Sequence, residues 1–245
     1  MSVEAFAVFL VALGTALATG LGALPLAFNR HPTRSWLGIA NSLASGFMIG
    51  ASVGLFYEGA KHDVSRTAIG AGAGAAFIWW TGRVIERRRV PQLGALEGAD
   101  ARKALLIVGV MTLHSITEGI GVGVAFGGEE ALGLLIAIAI AVHNIPEGLA
   151  ISLVLVSRGT SVRSAAGWSI FSSLPQPLLA VPAFLFVEQF TAFLPLGLGF
   201  AAGAMLWLVL ADLLPEAIET TRTSVVAFAV TSSALVMLAF LLLLL

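Results

Sequence analysis

The chain has 245 residues, 58% of them hydrophobic and only 11% charged, with a net charge of −1 and a mean hydropathy of +0.97. A soluble domain carries about 25% charged residues, so this chain lacks the polar surface to cover a globule in water, and lipid must be much of its solvent. The charge balance offers no footprint for nucleic acid, and the absence of Cys excludes thiolate metal sites and disulfides.

A helix needs about 20 apolar residues to cross a bilayer. Apolar runs fall at about 3–28, 36–57, 67–82, 104–126, 131–156, 164–187, 193–215 and 224–245. They predict eight transmembrane helices in a single all-α membrane domain covering residues 1–245, with no room for a sizeable soluble part. The first run lacks a basic leader region and a cleavage signal, so it is expected to be a retained span. The third run is short, and the sixth is interrupted by Pro175, Pro177 and Pro182.

Charge placement tests this count independently. Of the 13 basic residues, all but Lys61 and Arg66 fall in the connections after the first, third, fifth and seventh runs. The positive-inside rule then makes those connections cytoplasmic and both termini extracytoplasmic, in a multi-pass cell-membrane protein. The longest connection, residues 83–103, is expected to be a mobile basic cytoplasmic loop.

The informative residues are those that lipid should reject. The fourth run reads MTLHSITEGIGVGVAF and the fifth AIAIAVHNIPEGLAISL. Each places a His and a Glu four residues apart, His114 with Glu118 and His143 with Glu147, hence on one helix face. An ionised side chain at bilayer depth costs on the order of 3 kcal/mol even on the mildest scale. Every Lys and Arg can be placed outside the runs, so a bound cation is the natural partner. A shared proton or a water-filled cavity is the alternative. Imidazole with carboxylate suits Zn²⁺, Fe²⁺ and similar first-row ions. Pro146 should bend the fifth helix and free a carbonyl near the site. Gly119 and Gly148, which follow the two glutamates, read as packing residues. Glu58, Asp212 and Glu216, at the ends of the second and seventh runs, are candidates for an ion pathway. His31 and His62 read as surface residues in loops.

HSITEG and HNIPEG resemble the paired signature of the ZIP (Zrt/Irt-like) metal transporters. The likeness extends to ATGLGALPL, SGFMIGAS and GFAAGAMLWLVLADLLPEA in the first, second and seventh runs. The resemblance implies a 3+2+3 bundle in which the first and last three helices are inverted repeats. GFM at 46–48 and GAM at 203–205 would occupy corresponding places. It also implies His114, Glu118, His143 and Glu147 as ligands, with Met48 as a thioether donor that favours softer ions such as Zn²⁺ or Cd²⁺. Some relatives hold a second, adjacent ion with Asn, Asp or Asn, and Glu on the fourth, fifth and sixth helices. The matching positions here are Ser115, Asn144 and Gln176, three neutral groups, so one well-formed site is expected, with these three as weak or supporting contacts. Residues 83–103 contain no His, which makes metal sensing by that loop unexpected.

The implied function is alternating-access transport of a divalent metal, Zn²⁺ foremost, with Fe²⁺, Mn²⁺ and Cd²⁺ open. The first, fourth, fifth and sixth spans would move against the rest. The ion is the substrate, and no cofactor is expected. A non-transporting metal receptor and channel-like conduction are the alternatives. An intramembrane hydrolase is not expected, because neither motif has the order H-E-x-x-H. Monomer and homodimer both remain open.

Overall fold

A computed structural model describes residues 2–28, 33–87 and 98–244, and all the regular structure among them is helical. The helices are α1 (Val3–Leu21), α2 (Leu24–Phe28), α3 (Arg34–His62), α4 (Val64–Arg87), α5 (Gly98–Gly128), α6 (Glu130–Val156), α7 (Val162–Ser173), α8 (Pro175–Gln189), α9 (Leu194–Leu208), α10 (Leu214–Thr220) and α11 (Thr223–Leu244). α1 runs into α2, α7 into α8, and α9 into α10, so the described helices form eight rods in the predicted order. α4 continues to Arg87 and α5 begins at Gly98, so residues 83–87 and 98–103 of the expected loop are helical. Its centre, 88–97, lies outside the described residues, as does His31. His62 is the last residue of α3 rather than part of a loop.

Local chemistry explains where the rods begin and break. Ser2 and Ser161 cap α1 and α7, their hydroxyls accepting from the backbone of Ala5 at 3.1 Å and of Ser164 at 3.2 Å. The Asp63 carboxylate accepts from the Arg66 N–H at 2.9 Å at the start of α4. Pro175 has no N–H to continue α7, and the chain restarts as α8 with that proline in its first turn, where no N–H is needed. Pro182 is accommodated inside α8. Between α9 and α10 the chain widens into a π-helical stretch, Val209–Leu213, just ahead of Pro215.

Seven of the rods are long and apolar enough to cross a membrane, while α4 falls short in hydropathy. Its glycines explain why. A Cβ on Gly70 or Gly74 would overlap the backbone of α9 at Leu196 and Phe200, and one on Gly199 or Gly203 of α9 would overlap α4 at Thr67 and Ala71. α4 thus gives up apolar side chains for close backbone approach, the usual basis of helix association in lipid. The same device recurs in three other pairs. Gly46 approaches the backbone of α11, Gly119 and Gly123 approach α8, and Gly22 with Gly148 bring α1 against α6.

These contacts expose the symmetry of the bundle. α3 packs on α11 as α9 packs on α4, and α1 packs on α6 as α8 packs on α5. Exchanging the first three rods for the last three, and α5 for α6, carries each pair onto its counterpart with the chain direction reversed. This is the 3+2+3 inverted arrangement, with α5 and α6 at its centre. Met48 and Met205, of the GFM and GAM segments, are both fully buried.

Gly148→Ala should push α1 off α6 by driving a methyl group into the Thr19 carbonyl. Overpacking of this kind costs about 2 kcal/mol. The melting temperature of the purified protein in detergent should fall, while Gly14→Ala, whose methyl would enter open space, should leave it unchanged.

Candidate metal centre

α5 and α6 are antiparallel neighbours joined at Glu129, and this geometry brings the two His–Glu pairs to one depth. His114 lies 14 residues before the end of α5 at Gly128, and His143 lies 13 residues after the start of α6 at Glu130. At 1.5 Å per residue both imidazoles sit about 20 Å from the connection. Glu118 is one turn nearer to it and Glu147 one turn farther, so each carboxylate faces the other helix's histidine. All four side chains are buried, and one ligating atom from each can be chosen so that all lie within 4.8 Å of one another.

The two carboxylates are held very differently. Glu118 Oε1 lies 3.1 Å from His114 Nε2 and also contacts His143 Nε2, while its Oε2 accepts from the Gln176 amide at 2.6 Å. Glu147 is 1% exposed, and neither of its oxygens has a hydrogen-bond partner; the nearest cationic candidate, His114 Nε2, is 3.9 Å away. The Nδ1 atoms of both imidazoles are also buried without partners. A buried carboxylate that accepts no hydrogen bond is costly. Here it coincides with two imidazoles, a donor set suited to a first-row dication.

Around this centre the three neutral residues take distinct places. Gln176, at the start of α8, reaches Glu118 because Gly119 lets the α8 backbone lie directly on α5. The Asn144 amide donates to the Thr15 carbonyl at 2.9 Å and to Gln176 Oε1 at 3.3 Å. Ser115 is fully buried with no partner for its hydroxyl. Thr15 has no counterpart among the sequence candidates. Its hydroxyl lies 2.5 Å from Gln176 Oε1, yet a threonine in an apolar run carries no signal that could have singled it out. Met48 is fully buried on α3, which packs against α6.

A cavity of about 330 Å³ opens beside the centre. Val110 and Met111, one turn before His114, line it together with Ala150, one turn after Glu147, and Asp212, Glu216 and Asn41. It reaches solvent at Asp212 and Glu219, at the end of the bundle from which α5 starts. The Asn41 amide donates to Glu216 at 3.1 Å. Asn41 was missed in the sequence reading, although an Asn inside an apolar run is itself a signal. Glu58 lies at the opposite end of α3, in an ion pair with Lys61 at 2.8 Å. A cavity of about 290 Å³ at that opposite end is lined by Glu4, Glu130 and Glu188. Buried Val122, Ala125, Ile136 and Ile140 lie on the stretches of α5 and α6 that separate it from the centre.

The molecule is therefore a multi-pass α-helical membrane protein with a His–Glu cluster sealed in its core. The ZIP zinc transporter family matches residues 91–245, and the chain belongs to that family. It is 48% identical over 236 residues to the "Putative zinc transporter" of Arabidopsis thaliana, covering 95% of this chain and 38% of that protein. It is 33% identical to the zinc transporter GufA of Myxococcus xanthus, covering 81% of this chain and 84% of GufA. To the zinc transporter ZupT of Corynebacterium glutamicum it is again 33% identical, with coverage of 87% and 90%. The chain thus spans little more than a third of the plant relative and nearly the whole of the bacterial ones. The family is one of transporters, not of enzymes.

Glu147→Gln should raise the melting temperature of the metal-free protein, because it removes a buried charge that no donor offsets. Zn²⁺ should stabilise the native protein, as any ligand of the folded state does, and shift the variant far less. Thermal unfolding in detergent, with and without Zn²⁺, reads both effects.

Proposed function

We propose that this protein moves a divalent metal ion, with Zn²⁺ as the best fit, into the cytoplasm through a single intramembrane site made by His114, Glu118, His143 and Glu147. The observation that carries the reading is Glu147, a buried carboxylate with two unpartnered oxygens beside two imidazoles. Two nitrogens and two carboxylates match the four-coordinate preference of Zn²⁺, whose ligands sit about 2.0–2.2 Å from the ion. Closing around an ion asks the four donors to draw inward by small side-chain movements. Met48, buried on the neighbouring α3, is the proposed additional thioether donor.

Access to the site differs between its two ends. The 330 Å³ cavity begins one turn from His114. Toward the other end, Glu130 is 13 residues from His143, about 20 Å along the helix, and the intervening face is apolar and buried. The positive-inside asymmetry assigns the cavity to the cytoplasm, which supports a state that releases metal inward past Asp212 and Glu216. Glu58, tied to Lys61, is a weaker candidate for the route.

The helix contacts support alternating access between two bodies. Glycine contacts that reach a neighbour's backbone join α1 to α6 and α5 to α8 in one group, and α3 to α11 and α4 to α9 in the other. Across the groups, Gly121 and Gly197 meet only the side chains of Ala201 and Val124. Sliding along such a side-chain surface leaves all four backbone-locked pairs intact, the arrangement expected of a transporter with a fixed midplane site.

Zn²⁺ uptake into liposomes containing the purified protein should saturate with concentration. His143→Ala and Glu147→Ala should each reduce it at least 10-fold; undiminished uptake in both would remove the site assignment, and linear flux would indicate a channel. One Zn²⁺ per chain is expected in the purified protein by elemental analysis, and two tightly held ions would refute the single site.

A further inference from the structure

The contacts around Glu118 point to a selectivity device that lies outside the four proposed ligands. Gln176 Oε1 receives the Asn144 amide at 3.3 Å and lies 2.5 Å from the Thr15 hydroxyl, which is also 2.7 Å from the Ala12 carbonyl. The Asn144 amide, itself turned toward the Thr15 carbonyl, needs an acceptor and the Glu118 carboxylate needs a donor, and these two demands fix which end of the carboxamide points where. With its oxygen toward Thr15 and Asn144, its nitrogen must face Glu118, and Nε2 donates to Glu118 Oε2 at 2.6 Å. Gln176, Thr15, Asn144 and Glu118 are all at most 2% exposed, so water does not compete for these bonds.

The backbone reinforces this orientation. Gly119 seats the Gln176 main chain against α5, and Gly148 seats Thr19 against α6, one turn along from Thr15 and Asn144. Thr19 in turn shares a 2.8 Å hydrogen bond with Ser173, just before the α7–α8 break. Gln176 is therefore braced from α1 and α6 as well as from its own helix.

We propose that Gln176, held by Thr15 and Asn144, is a positioning residue that makes Glu118 a one-oxygen ligand and thereby biases the site toward ions of low coordination number, such as Zn²⁺. The proposal rests on the four-ligand reading above. Glu118 has two oxygens; Oε1 faces the two imidazoles and Oε2 is occupied by the Gln176 amide. With that N–H in place the carboxylate cannot offer both oxygens to one ion without losing a buried hydrogen bond. Zn²⁺ accepts four ligands. Mn²⁺ takes more ligands, preferably oxygens in octahedral geometry, and gains most from a second carboxylate oxygen. Removing the amide therefore costs Zn²⁺ some ligand order and gives Mn²⁺ an oxygen.

The test is the ratio of kcat/KM for Zn²⁺ to that for Mn²⁺, measured by uptake into proteoliposomes with each ion alone. Outer-contact changes at metal sites alter affinity by about 10–100-fold, so Gln176→Ala should lower the ratio by about 10-fold, with a lower KM for Mn²⁺. Thr15→Val should shift it the same way by a smaller factor, and Thr15→Ser, which keeps the hydroxyl, should restore the native ratio. An unchanged ratio in an active Gln176→Ala protein overturns the proposal, as does an equal loss for both ions. If Gln176→Ala is not recovered folded, the Thr15→Val and Thr15→Ser pair decides by the same criterion. Full activity of His143→Ala for both ions would instead overturn the underlying site, which separates the two failures.

Discussion

Two carboxylates buried in an apolar bundle, with no Lys or Arg paired to either among the described residues, are the constraint on which the rest of this structure depends. No Lys or Arg occurs between Lys103 and Arg158, so neither α5 nor α6 can neutralise Glu118 and Glu147 from its membrane-embedded part. The two histidines meet that demand unequally. Both imidazoles and an amide converge on Glu118, leaving Glu147 with no donor at all. Of the two carboxylates, Glu147 is the one left without a hydrogen bond, and Ala150, one turn after it, lines the cavity.

The rest of the bundle serves to keep this arrangement dry and close. The Glu-Gly dipeptides show how. In each motif the glycine following the glutamate lets an outer helix lie backbone to backbone on the inner one, α8 on α5 at Gly119 and α1 on α6 at Gly148. That close approach is what places Gln176 and Thr15 within hydrogen-bonding distance of the centre. The two contacts are counterparts under the internal symmetry, yet the side chains they deliver differ. Gln176 reaches Glu118, whereas Thr15 reaches Gln176 rather than Glu147. The symmetric scaffold therefore holds an asymmetric site, with one carboxylate tied and the other unpartnered.

Glycine also accounts for the apparent weakness of α4 as a membrane span. Gly70 and Gly74 of its GAGAGAA segment lack bulk because α9 occupies the space that side chains there would fill. A hydropathy scale counts those residues as lost apolar surface, although the surface in question is protein-facing. Helix ends show a similar limit. The runs predicted the order of the rods, but α4 and α5 extend beyond the hydrophobic stretches because helix formation does not stop where apolarity does.

The His–Glu pairs were legible because four-residue spacing on a helix is a local property, and the absence of nearby basic residues can be read from the same string. The eight-rod count and the basic asymmetry of the connections were legible for the same reason. The family likeness drew attention to Gln176 and Asn144, and Asn41 could have been noticed as a polar residue in an apolar run. Thr15 could not, since its meaning lies in a contact with Gln176, 161 residues away. Which glutamate would be tied, which end of the bundle would hold the cavity, and which way the Gln176 amide would point were decided only by tertiary structure. Each depends on how closely non-adjacent helices approach, and that distance is set by interlocking backbones rather than by any local pattern of residues.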